Sequence, residues 1–245
     1  MDRSFIGIHQ PNFLPWAGYF LKIALCDQFI FLDDVLIDFG GYARRAKIST
    51  IDRNSTQWLT LPLTERTRMA DINQYHIQVD LLGEKIFHKL EINYPNQTTY
   101  GQEIISSLKK EIVQSPINLA PFNAQLILWI AEKLDIKTNF SFSSHLPSNL
   151  TSGDRTIDLV KRIGGEDYLS GISGRNYLDT VAMKAQHIQL HFLESKRILD
   201  QYVQKNGMDD LMGESSIIEW LCLLGWEGVK IALEEWKGSF LNGVR

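Results

Sequence analysis

Two cysteines in 245 residues are too few to staple a fold. Cys26 and Cys222 each sit inside an apolar periodic segment, the setting of a small buried hydrophobe, so disulfides are not expected. Excess positive charge is missing as well. The 25 Lys and Arg stand against 29 Asp and Glu, a net charge of −4, and the basic residues are scattered. No basic face is available for a phosphate backbone, which argues against a nucleic-acid duplex as partner. No window approaches the ~20 apolar residues that a bilayer crossing requires. The first residues carry one arginine and then an apolar stretch broken by His9 and Pro11, unlike the continuous apolar core of a signal peptide. The expectation is therefore a cytoplasmic protein with no transmembrane segment. Several motifs are also lacking. Without Gly-x-Ser-x-Gly a Ser-His-Asp hydrolase has no support. Without Gly-x-Gly-x-x-Gly after the first strand a standard dinucleotide site is not expected. No His, Asp or Glu spacing suggests a transition-metal site.

What is present is an ample apolar fraction, 44%, and a regular alternation of strand-like and helix-like segments. Residues 4–9 read as a strand, 16–26 as a helix opened near Pro15, and 28–34 as a second strand. Trp58–Leu63 and Asn73–Leu81 read as further strands, the latter from the alternation of Ile72, Tyr75, Ile77 and Val79. Helical periodicity marks 83–94, 101–114, 118–135 and 152–163. Strands follow at Asn139–Leu146, Asp167–Ser170 and Gln189–Leu193. A short helix carries Tyr177 and Leu178, and another lies around Ser216–Leu224. This order implies an α/β fold with a mostly parallel open sheet and flanking helices, in one domain over 1–245 with a helical part from about 195 to 245.

The chemistry-bearing residues gather at the ends of the first strands. His9-Gln10-Pro11-Asn12 follows a buried strand, and Pro11 blocks continuation of the ladder. His9 is the acid/base candidate, with Gln10 and Asn12 as polar positioners. The same residues can instead cap the next helix. Asp33 and Asp34 end the second strand. Adjacent strand residues point to opposite faces, so at most one should enter the first loop, as amine orienter, base or Mg²⁺ ligand. Arg44, Arg45 and Lys47 either clamp a diphosphate or form a solvated basic edge, and Arg45 is the preferred contact. Trp16, Tyr19 and Trp58 can stack on a sugar or base, or belong to the core. Arg155 sits near a helix N-terminus, against the dipole, and so calls for an anionic partner, either a ligand or a carboxylate. Ser170-Gly171-Ile172-Ser173-Gly174-Arg175-Asn176 is a candidate phosphate loop, with Ser170, Gly171, Ser173, Arg175 and Asn176 as contacts, or else a turn without a ligand. His76, His88, His145, His187 and His191 show no partnering pattern.

Two resemblances organise these residues. His9-Gln10-Pro11-Asn12-x-Leu14-Pro15-Trp16-x-Gly18-Tyr19-Phe20, with Asp27-x-Phe29 and Asp33-Asp34-Val35, resembles the opening of the WbqC-like family. The likeness continues in Gly41-Tyr42-x-x-Arg45-x-Lys47-Ile48, Trp58-Leu59-Thr60-Leu61-Pro62, Ser143-Ser144-x-Leu146 and Gly165-x-Asp167-Tyr168-Leu169-Ser170-Gly171. It departs at Asn93-Tyr94-Pro95-Asn96, where the family usually shows an Ala-Pro-Tyr-Phe-like segment. The resemblance implies a role in bacterial O-antigen or other surface-polysaccharide biosynthesis. The expected reaction is N-acyl or aminoacyl transfer to a nucleotide-linked amino sugar, with a non-catalytic sugar-nucleotide binding or scaffold role as the alternative. Expected partners are the nucleotide sugar, an acyl donor, and a second copy of the chain or another glycan-pathway enzyme. The first βαβ unit also resembles the HIGH-type nucleotidyltransferase superfamily, which implies ATP with Mg²⁺ as cofactor. The paired histidines of that motif are absent, with Pro15 and Tyr19 near their places.

Overall fold

A computed structural model describes residues 4–64, 70–94, 98–208, 211 and 213–243. Five strands form its sheet: β1 (Phe5–His9), β2 (Gln28–Phe31), β5 (Asn139–Phe142), β6 (Asp167–Gly171) and β7 (Gln189–Leu193). Their spatial order is β5-β2-β1-β6-β7, and every pair is parallel. Counting only these strands, the order is third, second, first, fourth, fifth. The winding reverses between β1 and β6, and in such sheets ligands bind outside the carboxyl ends of the strands at that switch point.

Both faces of the sheet are buried, as parallel sheets require. On one face Phe5, Phe29 and Phe31 join the main core with α1 (Ala17–Ala24). On the other, Ile6, Ile8, Ile30 and Tyr168 pack under α5 (Ser152–Arg162). The main core is extended by α2 (His88–Asn93), α3 (Gly101–Gln114) and α4 (Leu119–Lys133). It is completed by α7 (Ser195–Lys205) and α8 (Ile217–Gly243), while α6 (Thr180–Ala185) packs through Met183 on the opposite face with α5. The helical period governs α8 well beyond Leu224, with a break at Gly225 (φ 68°, ψ 179°). A side chain there would be strained by that φ and would meet the Tyr100 ring at 3.0 Å, so glycine is required. Beyond the break Trp236 packs edge-on against Trp220, with ring centroids 4.9 Å apart.

Several expected elements differ. The segment Asn73–Leu81 is not a strand. It holds 3-10 turns at Ile72–Gln74 and Val79–Leu81, with single bridges from His76 and Ile77. Its alternating pattern buries Ile72, Tyr75 and Ile77, but among the described residues the segment has no continuous ladder partner. The strand expected at Trp58–Leu63 is β4 (Thr56–Thr60), which pairs antiparallel with β3 (Arg45–Ser49) in a ribbon outside the sheet. The second strand ends at Phe31 rather than residue 34, and β5 at Phe142 rather than 146. Residues 83–94 begin with a wider π-type turn over Gly83–Phe87 before α2. Tyr177 and Leu178 lie between a 3-10 turn (Ile172–Asn176) and α6, not in a helix. The departure at Asn93–Asn96 lies partly outside the described residues.

Candidate functional site

Pro11 turns the chain out of β1, and the following loop is pinned from three directions. Asn123 of α4, fully buried, donates to the carbonyls of Pro11 (2.9 Å) and Ala43 (2.5 Å). Ser216 Oγ donates to Leu14 O at 2.7 Å, and Phe13 N–H donates to Tyr42 O at 2.9 Å. Leu14 is held at φ 38°, a conformation costly for a branched side chain and kept by these surroundings. Trp16 then folds back over Gly18. A Cβ at Gly18 would lie 2.4–2.6 Å from three atoms of the indole, so this glycine is what lets the ring lie across the start of α1.

The pinned loop fixes His9. Its Nδ1 lies 3.0 Å from Gln10 O, and Tyr19 Oη donates to the same carbonyl at 2.9 Å. A carbonyl can only accept, so Nδ1 carries the proton and Nε2 is left with its lone pair. The Tyr19 ring stands edge-on to the imidazole, with centroids 5.0 Å apart. Burial, with the positive charge of Lys22 nearby, pushes the imidazolium pKa down to about 4. His9 is thus a neutral imidazole at physiological pH. Burial also drives the Tyr19 phenol well above its ordinary value, so it stays a donor.

Lys22 carried no functional signal in the sequence, yet it lies at the heart of this region. It is 5% exposed, and its Nζ donates to Ile8 O at 2.8 Å. In β1 the carbonyls of Phe5 and His9 bond toward β2, so Ile8 O faces β6. The β1–β6 ladder runs from Phe5–Asp167 to Gly7–Leu169 and no further. Lys22 therefore fills the parting of the two strands and takes a carbonyl that β6 has left behind. Phe29 and Tyr168 ring centroids lie 5.8 and 5.9 Å from its ammonium. Burial lowers its pKa to about 8.

Above this parting is a cleft of about 850 Å³. His9, Asn12, Trp16, Tyr19 and Lys22 line one side of it. Gly171 and Ser173 of the candidate phosphate loop and the first turn of α7 line the other. A smaller cavity of about 350 Å³ lies on the far side of β1 and includes His9, Gln10 and Arg155. His9 borders both. Ser170 is buried, with its hydroxyl on Gly171 O at 3.1 Å. Arg175 and Asn176 are exposed; Arg175 lies over the Phe192 ring and 3.9 Å from Glu194. The arrangement offers a neutral base, a buried cation, amide and hydroxyl groups, and an indole edge, a set able to bind a polar ligand and move a proton.

The acidic pair is used differently from the strand-based expectation. Asp33 accepts from Ser144 N–H (2.9 Å), Ser144 Oγ (2.7 Å) and Ser143 Oγ (3.2 Å). Asp34 also accepts from Ser143 Oγ and takes a bidentate grip from Arg155, both contacts at 2.6 Å. Both carboxylates meet Ser143 because the chain has left the strand at Phe31, so face alternation no longer applies. Arg155 thus has a carboxylate for its anionic partner. Neither aspartate lines the two cavities. Arg45 stacks on the Trp58 ring at 4.1 Å and donates to Gly40 O, also away from the cleft. Beyond Lys22, the sequence reading missed Asn123 and the first turn of α7. The only available signals were a lysine and an asparagine inside apolar helical patterns. Among the described residues no group of three or more His, Cys, Asp or Glu is placed to hold a metal ion. Among the same residues, no helix is long and apolar enough to cross a membrane.

Comparison with known proteins adds one relative. The chain is 27% identical over 175 residues to the uncharacterized protein Rv1507c of Mycobacterium tuberculosis (strain ATCC 25618 / H37Rv), a match covering 71% of this chain and 75% of that protein. No solved structure matches. The model of the WbqC-like protein family matches residues 10–231, from the Gln10 turn to the second half of α8, and the chain belongs to that family.

Proposed function

We propose that this protein is a cytoplasmic enzyme of bacterial surface-polysaccharide biosynthesis that transfers an acyl or aminoacyl group to the amine of a nucleotide-linked sugar. The observation that carries the reading is the state of His9. Its Nδ1 proton is committed to Gln10 O, which leaves the Nε2 lone pair unclaimed, and the residue lines the cleft at the sheet's switch point. Amide formation needs a base that takes a proton from an attacking amine while the acyl carbon is held near it. Nε2 has the lone pair for this, and an anionic ligand beside Lys22 would restore part of the basicity that burial and the Lys22 charge remove. Tyr19 acts as a positioning residue by sharing the Gln10 carbonyl and holding the ring. Asn12 and Trp16 supply a polar group and an aromatic body for the sugar. The cleft volume suits a ligand of that size. Asp33 and Asp34 serve by ordering Ser143, Ser144 and Arg155 around the neighbouring loops. Gly171 and Ser173, the members of the glycine-rich loop that line the cleft with Ile172, would meet its phosphates.

The test is to incubate purified protein with UDP-, dTDP- and GDP-amino sugars and acyl donors, with and without ATP and Mg²⁺, following amide formation by mass spectrometry. Wild type should turn over at least one pair. His9→Ala should lose about 10²–10⁴-fold in kcat while keeping its melting temperature. An unchanged rate in His9→Ala would remove the base role. The engagement of both aspartates away from the cleft favours one second reading, a module that binds and presents the sugar nucleotide. That reading predicts binding without turnover, retained by His9→Ala.

A further inference from the structure

A buried ammonium without a carboxylate is expensive. Paired groups are tolerated in protein interiors, and unpaired ones normally shift their pKa or are replaced. Lys22 has one carbonyl partner and no acidic side chain at ion-pair distance among the described residues. Its three protons are one third used. A second group in the same cleft is also unfinished. Asn12 is 6% exposed, and its side-chain amide makes no hydrogen bond to any described residue. A third feature faces both. α7 starts directly after β7, its N-cap residue Glu194 makes no capping bond, and its first-turn residues Ser195, Lys196 and Arg197, whose N–H groups have no intrahelical acceptor, line the cleft. Each carboxylate lining this cleft has a cation beside it: Glu194 has Arg197 at 3.0 Å and Arg175 at 3.9 Å, Asp200 has Lys196 at 2.6 Å, and Glu214 has Lys47 at 4.0 Å.

We propose that Lys22, Asn12 and the first turn of α7 form an anion subsite, which receives a phosphate or carboxylate group of the ligand above the parting of β1 and β6. The anion accepts from the remaining Lys22 protons and from the Asn12 amide N–H and meets the positive end of a helix. This deepens the reading above and rests on the cleft being its ligand site. Phosphate would come from the nucleotide part of a sugar donor, carboxylate from the acyl part, and both offer the same charged oxygens.

Thermal melts of the full chain near pH 7, with pyrophosphate and acetate as separate probes up to about 20 mM and sodium chloride at matched ionic strength as control, test the subsite. At least one probe should raise the wild-type melting temperature beyond the chloride control, and the probe that acts identifies the source. Lys22→Met should melt at or above the wild-type temperature without the anion, and should bind that anion at least tenfold more weakly. The inference is overturned if neither probe exceeds chloride, or if Lys22→Met responds as wild type does. Should Lys22→Met fail to fold, Asn12→Ala decides the matter: affinity reduced threefold or more supports the subsite, and unchanged affinity overturns it. Wild type that binds pyrophosphate through Lys22 but no nucleotide-linked amino sugar would keep the subsite and remove the substrate reading. Where pyrophosphate is the probe that acts, a nucleotide sugar that binds Lys22→Met as tightly as wild type would do the reverse.

Discussion

Lys22 on α1 and Glu219 on α8 are both ionisable, both buried, and carried by helices that pack against each other. Their surroundings differ in kind. Glu219 accepts from the Ser49 N–H at 3.1 Å, Tyr94 Oη at 3.3 Å and Arg53 Nη1 at 3.4 Å. It ties the β3–β4 ribbon, the end of α2 and α8 into one knot, and its charge is answered inside the fold. Lys22 has a carbonyl and two aromatic ring faces, beside a cleft. A buried charge that is satisfied belongs to the architecture, while one that is left incomplete at the switch point of a parallel sheet points outward to a ligand.

The largest effect should come from breaking the satisfied side. Glu219→Leu leaves Arg53 without its carboxylate and the Ser49 N–H without its acceptor, and should cost about 3–5 kcal/mol in chemical denaturation. A loss under about 1 kcal/mol would show that the knot is ornamental and dissolve the contrast.

The unsatisfied side should respond with the opposite sign, and through pH. The pKa of Lys22 is about 8 in the folded chain against 10.5 for the free side chain. Between those values the unfolded chain binds the proton and the folded chain does not, so stability should rise with pH across that window. The slope approaches about 1.4 kcal/mol per pH unit. Cys26 works against it above pH 9, because burial lifts its thiol from 9.0 to about 12 and the folded chain then holds the extra proton. The interval from 8 to 9 is therefore the clean one, and Lys22→Met should flatten the curve there. Identical curves for the two proteins would mean that the lysine is not uncomfortable in its site. On the acid side His9 acts in the same direction. Its folded pKa of about 4 lies below the ordinary 6.5, so its contribution is whole above 6.5 and is lost as pH falls toward 4. His9→Gln should remove that part of the acid slope.

A smaller effect sharpens the view of the cleft wall. Gly18→Ala should push the Trp16 indole off α1 and cost about 1–3 kcal/mol by overpacking. Indole fluorescence should shift to longer wavelength, and ligand affinity should fall with it. A full-affinity Gly18→Ala protein would mean that Trp16 is a lid over the core rather than a wall of the site.

Much of this was legible along the chain. The strand-loop-helix-strand order through Phe31, the interruption at Pro11, and the polar tip at His9, Gln10 and Asn12 all follow from local rules about periodicity and proline. The segment Asn73–Leu81 shows where such rules stop. Its alternation is real and its apolar side is buried, but a strand also needs successive bridges to one partner, and among the described residues this segment makes a single bridge to Leu63 and a single bridge to Asn118. Asp33 and Asp34 show the same limit at finer scale. Their place after an apolar run was readable, whereas the donors that claim them, on Ser143, Ser144 and Arg155, are more than 100 residues away.

The sequence by itself determined which residues form the sheet's core strands, which loop carries the polar groups, and the family to which they belong, because each of these is written in short-range pattern. Only the tertiary structure decided that β1 and β6 part after Gly7 and Leu169, that Lys22 fills the parting, and that Asn123 holds the loop beside it. A lysine or asparagine within an apolar helix reads the same whether it faces water, a carboxylate or an open cleft. Which of these it meets depends on the order of strands in space, and that order arises from long-range packing.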